Sequence, residues 1–138
     1  MRRVLAIGLA AYFLHFVWEM AQGGLFETMT RLPFWSATAW CARAAAWDVV
    51  ISFASYAAAS VVSRDIMWPG NLRAVPLAIY LVTGMAITIA IERWALAAGR
   101  WKYAPEMPAI GGIGLAPLLQ WVVVPIAIAA VVRVVARR

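Results

Sequence analysis

The sequence predicts an all-α integral membrane protein built as a bundle of four transmembrane helices. Its residues are 65% hydrophobic and only 13% charged, whereas soluble domains are about 45–50% apolar and about 25% charged. The apolar residues form four blocks, each close to the ~20 residues that a helix needs to cross a bilayer. A β-barrel, the other spanning fold, would need shorter segments of alternating polarity. We predict one domain over residues 1–138, with helices at about 4–22, 39–62, 75–98 and 110–135.

The basic residues predict the orientation of this bundle. They collect at the ends of the apolar blocks: Arg2, Arg3, Arg64, Arg73, Arg133, Arg137 and Arg138. By the positive-inside rule, both termini and the central loop lie on the cytoplasmic side, an N-in, C-in arrangement. We expect this membrane to be a bacterial inner membrane. The net charge of +6 does not indicate nucleic-acid binding, because the basic side chains do not gather on one face.

The first block also has features of a signal peptide, because basic residues precede an apolar run. The run continues through Trp18 and contains His15 and Glu19, which favours a retained helix. The single cysteine, Cys41, cannot form a disulfide within the chain or contribute to a thiolate metal cluster. We interpret it as a small packing residue.

Small and polar residues recur on one face of each of the first three helices. They are Gly8, Tyr12, His15, Glu19 and Gln22, then Cys41, Ala45, Asp48, Ser52, Ser55 and Ala59, then Tyr80, Gly84, Thr88 and Glu92. In a bilayer, small residues let helices approach closely and polar ones bond across the contact. These faces therefore predict a polar seam inside the bundle. The fourth helix differs, since Pro117 and Pro125 predict a kink on either side of Gln120.

Three carboxyl groups, Glu19, Asp48 and Glu92, lie within these apolar blocks. A charge in hydrocarbon costs at least about 3 kcal/mol, so such groups pair, face a cavity or titrate. The helical rise places Glu19 and Glu92 near the outer boundary, at a level with two arginines. We expect Arg43 and Arg93 to form structural ion pairs with these two acids.

A deeper polar layer near the bilayer midplane is predicted to contain His15, Asp48 and Gln120. No arginine lies at this level, so Asp48 and His15 are expected to share a proton. Such a pair suits a general acid or a proton relay. It equally suits a neutral hydrogen bond that joins helices one and two. One histidine, without the repeated Glu-x-x-His pattern of di-metal bundles, predicts no metal, and nothing indicates another cofactor.

Most of the eight tryptophans fit an aromatic belt at the membrane interface. Trp47 and Trp121 lie too deep for that belt and are candidates for a pocket. Together with Trp18, Tyr12 and Gln120, they form our predicted substrate-binding set.

Trp18-Glu19, followed by Trp47-Asp48-Val49-Val50-Ile51, resembles a motif pair of integral-membrane terpene cyclases of the fungal meroterpenoid type. The resemblance implies acid-initiated cyclisation of a prenyl chain in an aromatic-lined cavity, with Glu19 matching the Trp-Glu element. That family has seven helices where this chain has four, and its second acid has no assigned counterpart here.

The leading functional hypothesis is a membrane-embedded enzyme that performs acid/base chemistry on an apolar isoprenoid or lipid substrate. Its expected catalytic residues are Glu19, Asp48, His15 and Glu92. One alternative is a proton-coupled transporter of a small solute, and another is a non-catalytic subunit or assembly factor of a membrane complex. The expected partners are the bilayer, an apolar small molecule and a second copy of the chain.

Overall fold

The computed structural model describes residues 2–71 and 73–136, and most of these residues are helical. In chain order the elements are α1 (Arg2–Gln22), a 3₁₀ turn (Gly23–Leu25), α2 (Glu27–Thr30), α3 (Phe34–Ser63), α4 (Trp68–Asn71), α5 (Ala74–Ala97), strands β1 (Ala109–Ile110) and β2 (Ile113–Gly114), and α6 (Leu115–Ala136). Of the basic residues that predict orientation, Arg137 and Arg138 lie outside the described residues. The side chains of Arg2 and Arg3 lie outside them as well.

The four long helices pack as a closed ring. Helix α1 contacts α3 on one side and α6 on the other, and α5 likewise contacts both α3 and α6. Helices α3, α5 and α6 are long and apolar enough to cross a membrane. The prediction of a mostly helical chain with helices suited to crossing a membrane is therefore confirmed for these three helices.

Helix α3 is longer than the sequence predicts. It begins at Phe34 instead of residue 39, because no proline or glycine interrupts the chain between Pro33 and Ser63. Its 30 residues reach about 45 Å, more than the ~30 Å of the hydrocarbon core. A helix of this length is longer than a bilayer crossing requires, and Trp35 in its first turn is 79% exposed.

Helix α6 is shorter at its start than predicted. Residues 109–114 form a small antiparallel hairpin in which Ala109 pairs with Gly114 and Ile110 with Ile113. Its two turn residues, Gly111 and Gly112, have φ angles of 59° and 80°, a pair of values that glycine adopts without strain. Because the helix begins at Leu115, Pro117 lies in its first turn, where no intrahelical amide donor is needed. Only Pro125 removes a hydrogen bond from the helix interior.

The loops at one end of the bundle join into a single layer, which we call the loop cap (residues 23–33 and 98–114). The amide of Glu27 donates to the carbonyl of Lys102 at 2.9 Å, and the amide of Ala104 donates to Leu25 at 2.9 Å. The rings of Phe26 and Tyr103 pack edge to face between them, with centroids 5.4 Å apart. The connection containing α4 lies at the opposite end, where α4 packs against α6.

The contact between α5 and α6 depends on a glycine. Trp121 is only 1% exposed, and a Cβ atom on Gly84 would lie 2.2 Å from its ring. The indole therefore occupies the space that any other side chain at position 84 would need. This contact sets how closely α6 approaches α5.

We expect Gly84→Ala to destabilise the fold, because overpacking against Trp121 displaces α6 at a cost of about 1–3 kcal/mol. Alanine gains roughly 1 kcal/mol over glycine in a helix interior, so we expect a net loss of up to about 2 kcal/mol. Thermal unfolding of the detergent-solubilised protein measures the effect. Gly24→Ala is the matched control, since a Cβ there meets no atom within 4 Å. Equal melting temperatures for both variants would contradict this account of the contact.

Candidate functional site

Five polar side chains from three helices meet inside the bundle, and we call them the Gln120 cluster: His15, Glu19 and Gln22 of α1, Asp48 of α3 and Gln120 of α6. The three α1 residues are spaced by four and three positions, so they share one helix face. His15 is fully buried, Gln120 is 2% exposed, and the side chain of Asp48 is 14% exposed. The polar seam predicted from the sequence thus contains Glu19 and Asp48 in one network instead of two layers.

The amide nitrogen of Gln120 is the centre of this cluster. It lies within hydrogen-bonding distance of three acceptors, His15 Nδ1 at 3.0 Å, Glu19 Oε1 at 3.1 Å and Asp48 Oδ2 at 2.9 Å. A carboxamide has only two hydrogens to donate. Among the described side chains, no lysine or arginine lies within 4 Å of Glu19 or Asp48. A proton held by His15 or by one carboxyl group supplies the missing hydrogen bond and lowers the net negative charge of the cluster by one.

Neighbouring donors fix which way the Gln120 amide faces. The indole nitrogen of Trp18, which can only donate, lies 3.2 Å from Gln22 Oε1. The amide nitrogen of Gln22 then donates to Glu19 Oε1 at 2.8 Å and to Gln120 Oε1 at 3.3 Å. Gln120 therefore turns its carbonyl toward Gln22 and its two hydrogens toward the acids.

His15 connects the cluster to the middle of the bundle. Its Nε2 atom lies 3.2 Å from the hydroxyl oxygen of Ser52, while Nδ1 faces Gln120 and Asp48. The His15 ring also packs against the buried ring of Trp121, with centroids 5.4 Å apart. Because each imidazole nitrogen has a polar partner, a proton can reside on either side of the ring.

A cleft adjoins Ser52 in the half of the bundle that contains α4. It has about 420 Å³ of unfilled space including its open mouth, but the centre of a water-sized sphere fits in only about 30 Å³. The cleft is therefore narrow, and a larger ligand would occupy an open groove. Aromatic and aliphatic side chains form most of its wall, among them Phe53, Tyr56, Trp68, Tyr80 and Ile128.

Glu92 lies apart from the hydrogen bonds of the Gln120 cluster and is held by the loop cap. It is 7% exposed and accepts hydrogen bonds from Trp101 Nε1, at 3.2 Å, and from the hydroxyl of Tyr103. These two donors take the place of the arginine that we expected. Burial, followed in importance by the hydrogen bond to the Glu92 carboxylate, raises the pKa of Tyr103 above its usual value.

The ion pairs expected for Arg43 and Arg93 are not formed. Among the described side chains, neither guanidinium lies within 4 Å of a carboxylate. Arg43 lies over the ring of Trp40, 4.5 Å from its centroid. Arg93 follows Glu92 in a helix, so its side chain is rotated about 100° away from the bundle interior. Both arginines lie at the depth predicted for the acids, but their side chains do not point toward them.

The predicted substrate-binding residues are divided by the structure. Gln120 is the centre of the Gln120 cluster, and Trp18 and Trp121 contact other members of it. Trp47 instead is 70% exposed on the outside of the bundle, since it precedes Asp48 and faces about 100° away from it. Tyr12 stacks on Phe16 of its own helix, with centroids 6.2 Å apart.

Four residues outside the predicted catalytic and substrate-binding sets complete the two polar sites. The sequence predicts Gln22 and Ser52 only as members of the polar faces, where they follow Glu19 and Asp48 by three and four positions. Trp101 and Tyr103 reach Glu92 from the loop cap. Their role depends on how the loops dock, for which the sequence has no periodic signal.

Comparisons of the chain with protein-family models, with curated proteins and with solved structures gave no match. The groups of the Gln120 cluster can hold and exchange a proton among two carboxyl groups and an imidazole. In the part of the chain that the structure describes, no group of three histidine, cysteine, aspartate or glutamate side chains is arranged to hold a metal ion.

We expect the stability of the fold to fall above about pH 10, near the usual pKa of tyrosine. The pKa of Tyr103 is raised in the folded protein, so its contribution is complete below the unfolded pKa. It is lost as the pH rises through the folded value, because the unfolded chain releases the proton first. Denaturation in detergent between pH 7 and pH 11 should show this fall for the unmodified protein and a smaller fall for Tyr103→Phe.

At neutral pH, Tyr103→Phe should cost about 1–3 kcal/mol, because Glu92 loses a buried donor. The same pH dependence in both proteins would contradict the role given to this hydroxyl.

Proposed function

We propose that the chain crosses the membrane four times, with both termini and the α3–α5 connection on the cytoplasmic side of a bacterial inner membrane. Helix α1 carries an exposed apolar row, Leu5, Leu9, Phe13 and Val17, whose members are 58–66% exposed. Residues four apart lie on one helix face, and such a face suits contact with lipid. The opposite face of α1 carries the buried polar groups of the Gln120 cluster. Arg64 and Arg73 in the α3–α5 connection fit the positive-inside rule.

We propose that this protein is a membrane-embedded enzyme that uses acid/base chemistry on an apolar isoprenoid or lipid substrate. The observation that carries the proposal is the arrangement of three acceptors around the Gln120 amide. Two carboxyl groups without a nearby cation form a site that retains a proton and can donate it. Glu19 and Asp48 are the proposed acids, and His15 exchanges the proton with them.

The route from this acid site to the substrate passes through Ser52. Its hydroxyl contacts His15 Nε2 and also lines the cleft. A prenyl chain in the cleft would accept the proton at a carbon–carbon double bond and become a carbocation. Neighbouring aromatic faces such as Tyr56 and Tyr80 stabilise positive charge. Loss of a proton from the rearranged chain returns it to His15, so the isomerised or cyclised product forms without an oxidant or reductant.

We expect Glu19→Gln and Asp48→Asn each to lower the turnover of a prenyl substrate at least 100-fold, because general acid catalysis contributes about 10²–10⁴-fold. Purified protein in detergent is incubated with prenyl alcohols and prenyl phosphates, and products are measured by mass spectrometry. Glu27→Gln is the matched control, since Glu27 pairs with Arg31 at the protein surface. Melting curves establish that each variant is folded. Full activity of both folded variants would contradict the proposal.

A second candidate function, proton-coupled transport of a small solute, is favoured by the continuity of the polar network. Hydrogen bonds run from Ser52 through His15 and Gln120 to Glu19 and Gln22. Such a chain can pass a proton over part of the membrane. Transport also needs water to reach the network from both sides in turn.

Proteoliposomes loaded with a pH-sensitive dye test the second function. Addition of small organic cations should change the internal pH if the protein exchanges them for protons, and Asp48→Asn should abolish the change. An internal pH that responds to none of the cations would exclude proton-coupled transport of that class of solute.

A further inference from the structure

Two buried polar groups near the α4 end of the cleft have no hydrogen-bond partner in the described part of the chain. They are the indole nitrogen of Trp68 and the Nε atom of Arg133. Trp68 is only 1% exposed, and both groups can only donate hydrogen bonds. A buried donor left unpaired is unfavourable. Both positions therefore suit an acceptor that is not part of the protein.

Both groups belong to the wall of the cleft or to the surface next to it. Trp68 lines the cleft, as do Ala129 and Val132 of α6. Arg133 follows Ala129 by four residues and therefore lies on the same helix face. Helical side chains lean toward the N-terminus of their helix, which brings the stem of Arg133 back toward Ala129 and the cleft.

The charge at this end of the cleft is positive. Among the described residues, Arg133 has no carboxylate within 4 Å. Asp65, the acid in the neighbouring α3–α4 connection, bonds to Arg73 at 3.4 Å. An anion that enters the cleft would therefore meet a guanidinium that is not already neutralised by these described acids.

We propose that the cleft binds an amphiphile in which a hydrocarbon chain carries an anionic phosphate headgroup. The chain lies against Phe53, Tyr56 and Ile128, and the phosphate accepts hydrogen bonds from Trp68 and Arg133. A phosphate presents oxygens in several directions, which suits donors from two different helices, and guanidinium groups bind phosphate closely. This inference names the substrate class of the enzyme proposed above and rests on the same cleft.

Three probes distinguish the contribution of the hydrocarbon chain to binding from that of the headgroup: farnesyl phosphate, farnesol and inorganic phosphate. Binding to the purified protein is measured by native mass spectrometry in a maltoside detergent, which carries no phosphate. Farnesyl phosphate should bind at least about tenfold more tightly than farnesol, as expected for hydrogen bonds to a charged group. Arg133→Gln and Trp68→Phe should each remove most of that difference. Arg64→Gln is the control, since Arg64 is an exposed arginine in the α3–α4 connection.

Unchanged binding of farnesol to both cleft variants shows that they are folded and that the chain site is intact. Equal affinities for farnesol and farnesyl phosphate, or no effect of Arg133→Gln, would overturn the headgroup assignment. If inorganic phosphate binds as tightly as farnesyl phosphate, the hydrocarbon chain does not contribute to binding, and the proposal of an amphiphile is overturned. The measurements are repeated with Asp48→Asn, in which binding should persist. Binding and turnover can therefore fail independently, which distinguishes this inference from the proposed enzyme function.

Discussion

The hydrogen bonds of the Gln120 amide are the interaction on which the interior of this protein depends. One side chain of α6 joins two residues of α1 and one of α3 through its nitrogen, and Gln22 through its oxygen. Buried polar groups in a bilayer must find partners within the protein. Because Gln120 and its partners together belong to three helices, none of these helices can rotate without leaving a polar group unpaired.

The neighbouring residue, Trp121, fixes the other side of α6. Consecutive residues in a helix point about 100° apart, so Gln120 faces α1 and α3 while Trp121 fits against Gly84 of α5. This matches the position of α6 in the ring, where it contacts α1 on one side and α5 on the other. A polar contact and an apolar contact thus determine the same helix rotation.

Helix periodicity made the cluster predictable in outline, since His15, Glu19, Asp48 and Gln120 all lie on faces or at depths that the sequence identifies. The predictions for Trp47, Arg43 and Arg93 rest on their depth in the bundle alone. The structure differs from them because depth does not tell which way a side chain faces. The partners of Glu92 could not be predicted, since Trp101 and Tyr103 reach it only after two loops distant in sequence have docked. The start of α6 was misjudged because paired glycines suit a hairpin turn as well as an irregular helix end.

The two ends of the bundle differ in a way that favours catalysis over transport. At one end, the loop cap is joined by backbone hydrogen bonds between Glu27 and Lys102 and between Leu25 and Ala104, and Glu92 is bound beneath it. At the other end, the cleft is open and apolar. Alternating access would require the cap bonds, at about 0.5–1.5 kcal/mol each, to break in every cycle, together with the contacts of Glu92. In the proposed enzyme, an apolar substrate would enter the cleft from the bilayer and reach Ser52 and His15 with the cap intact.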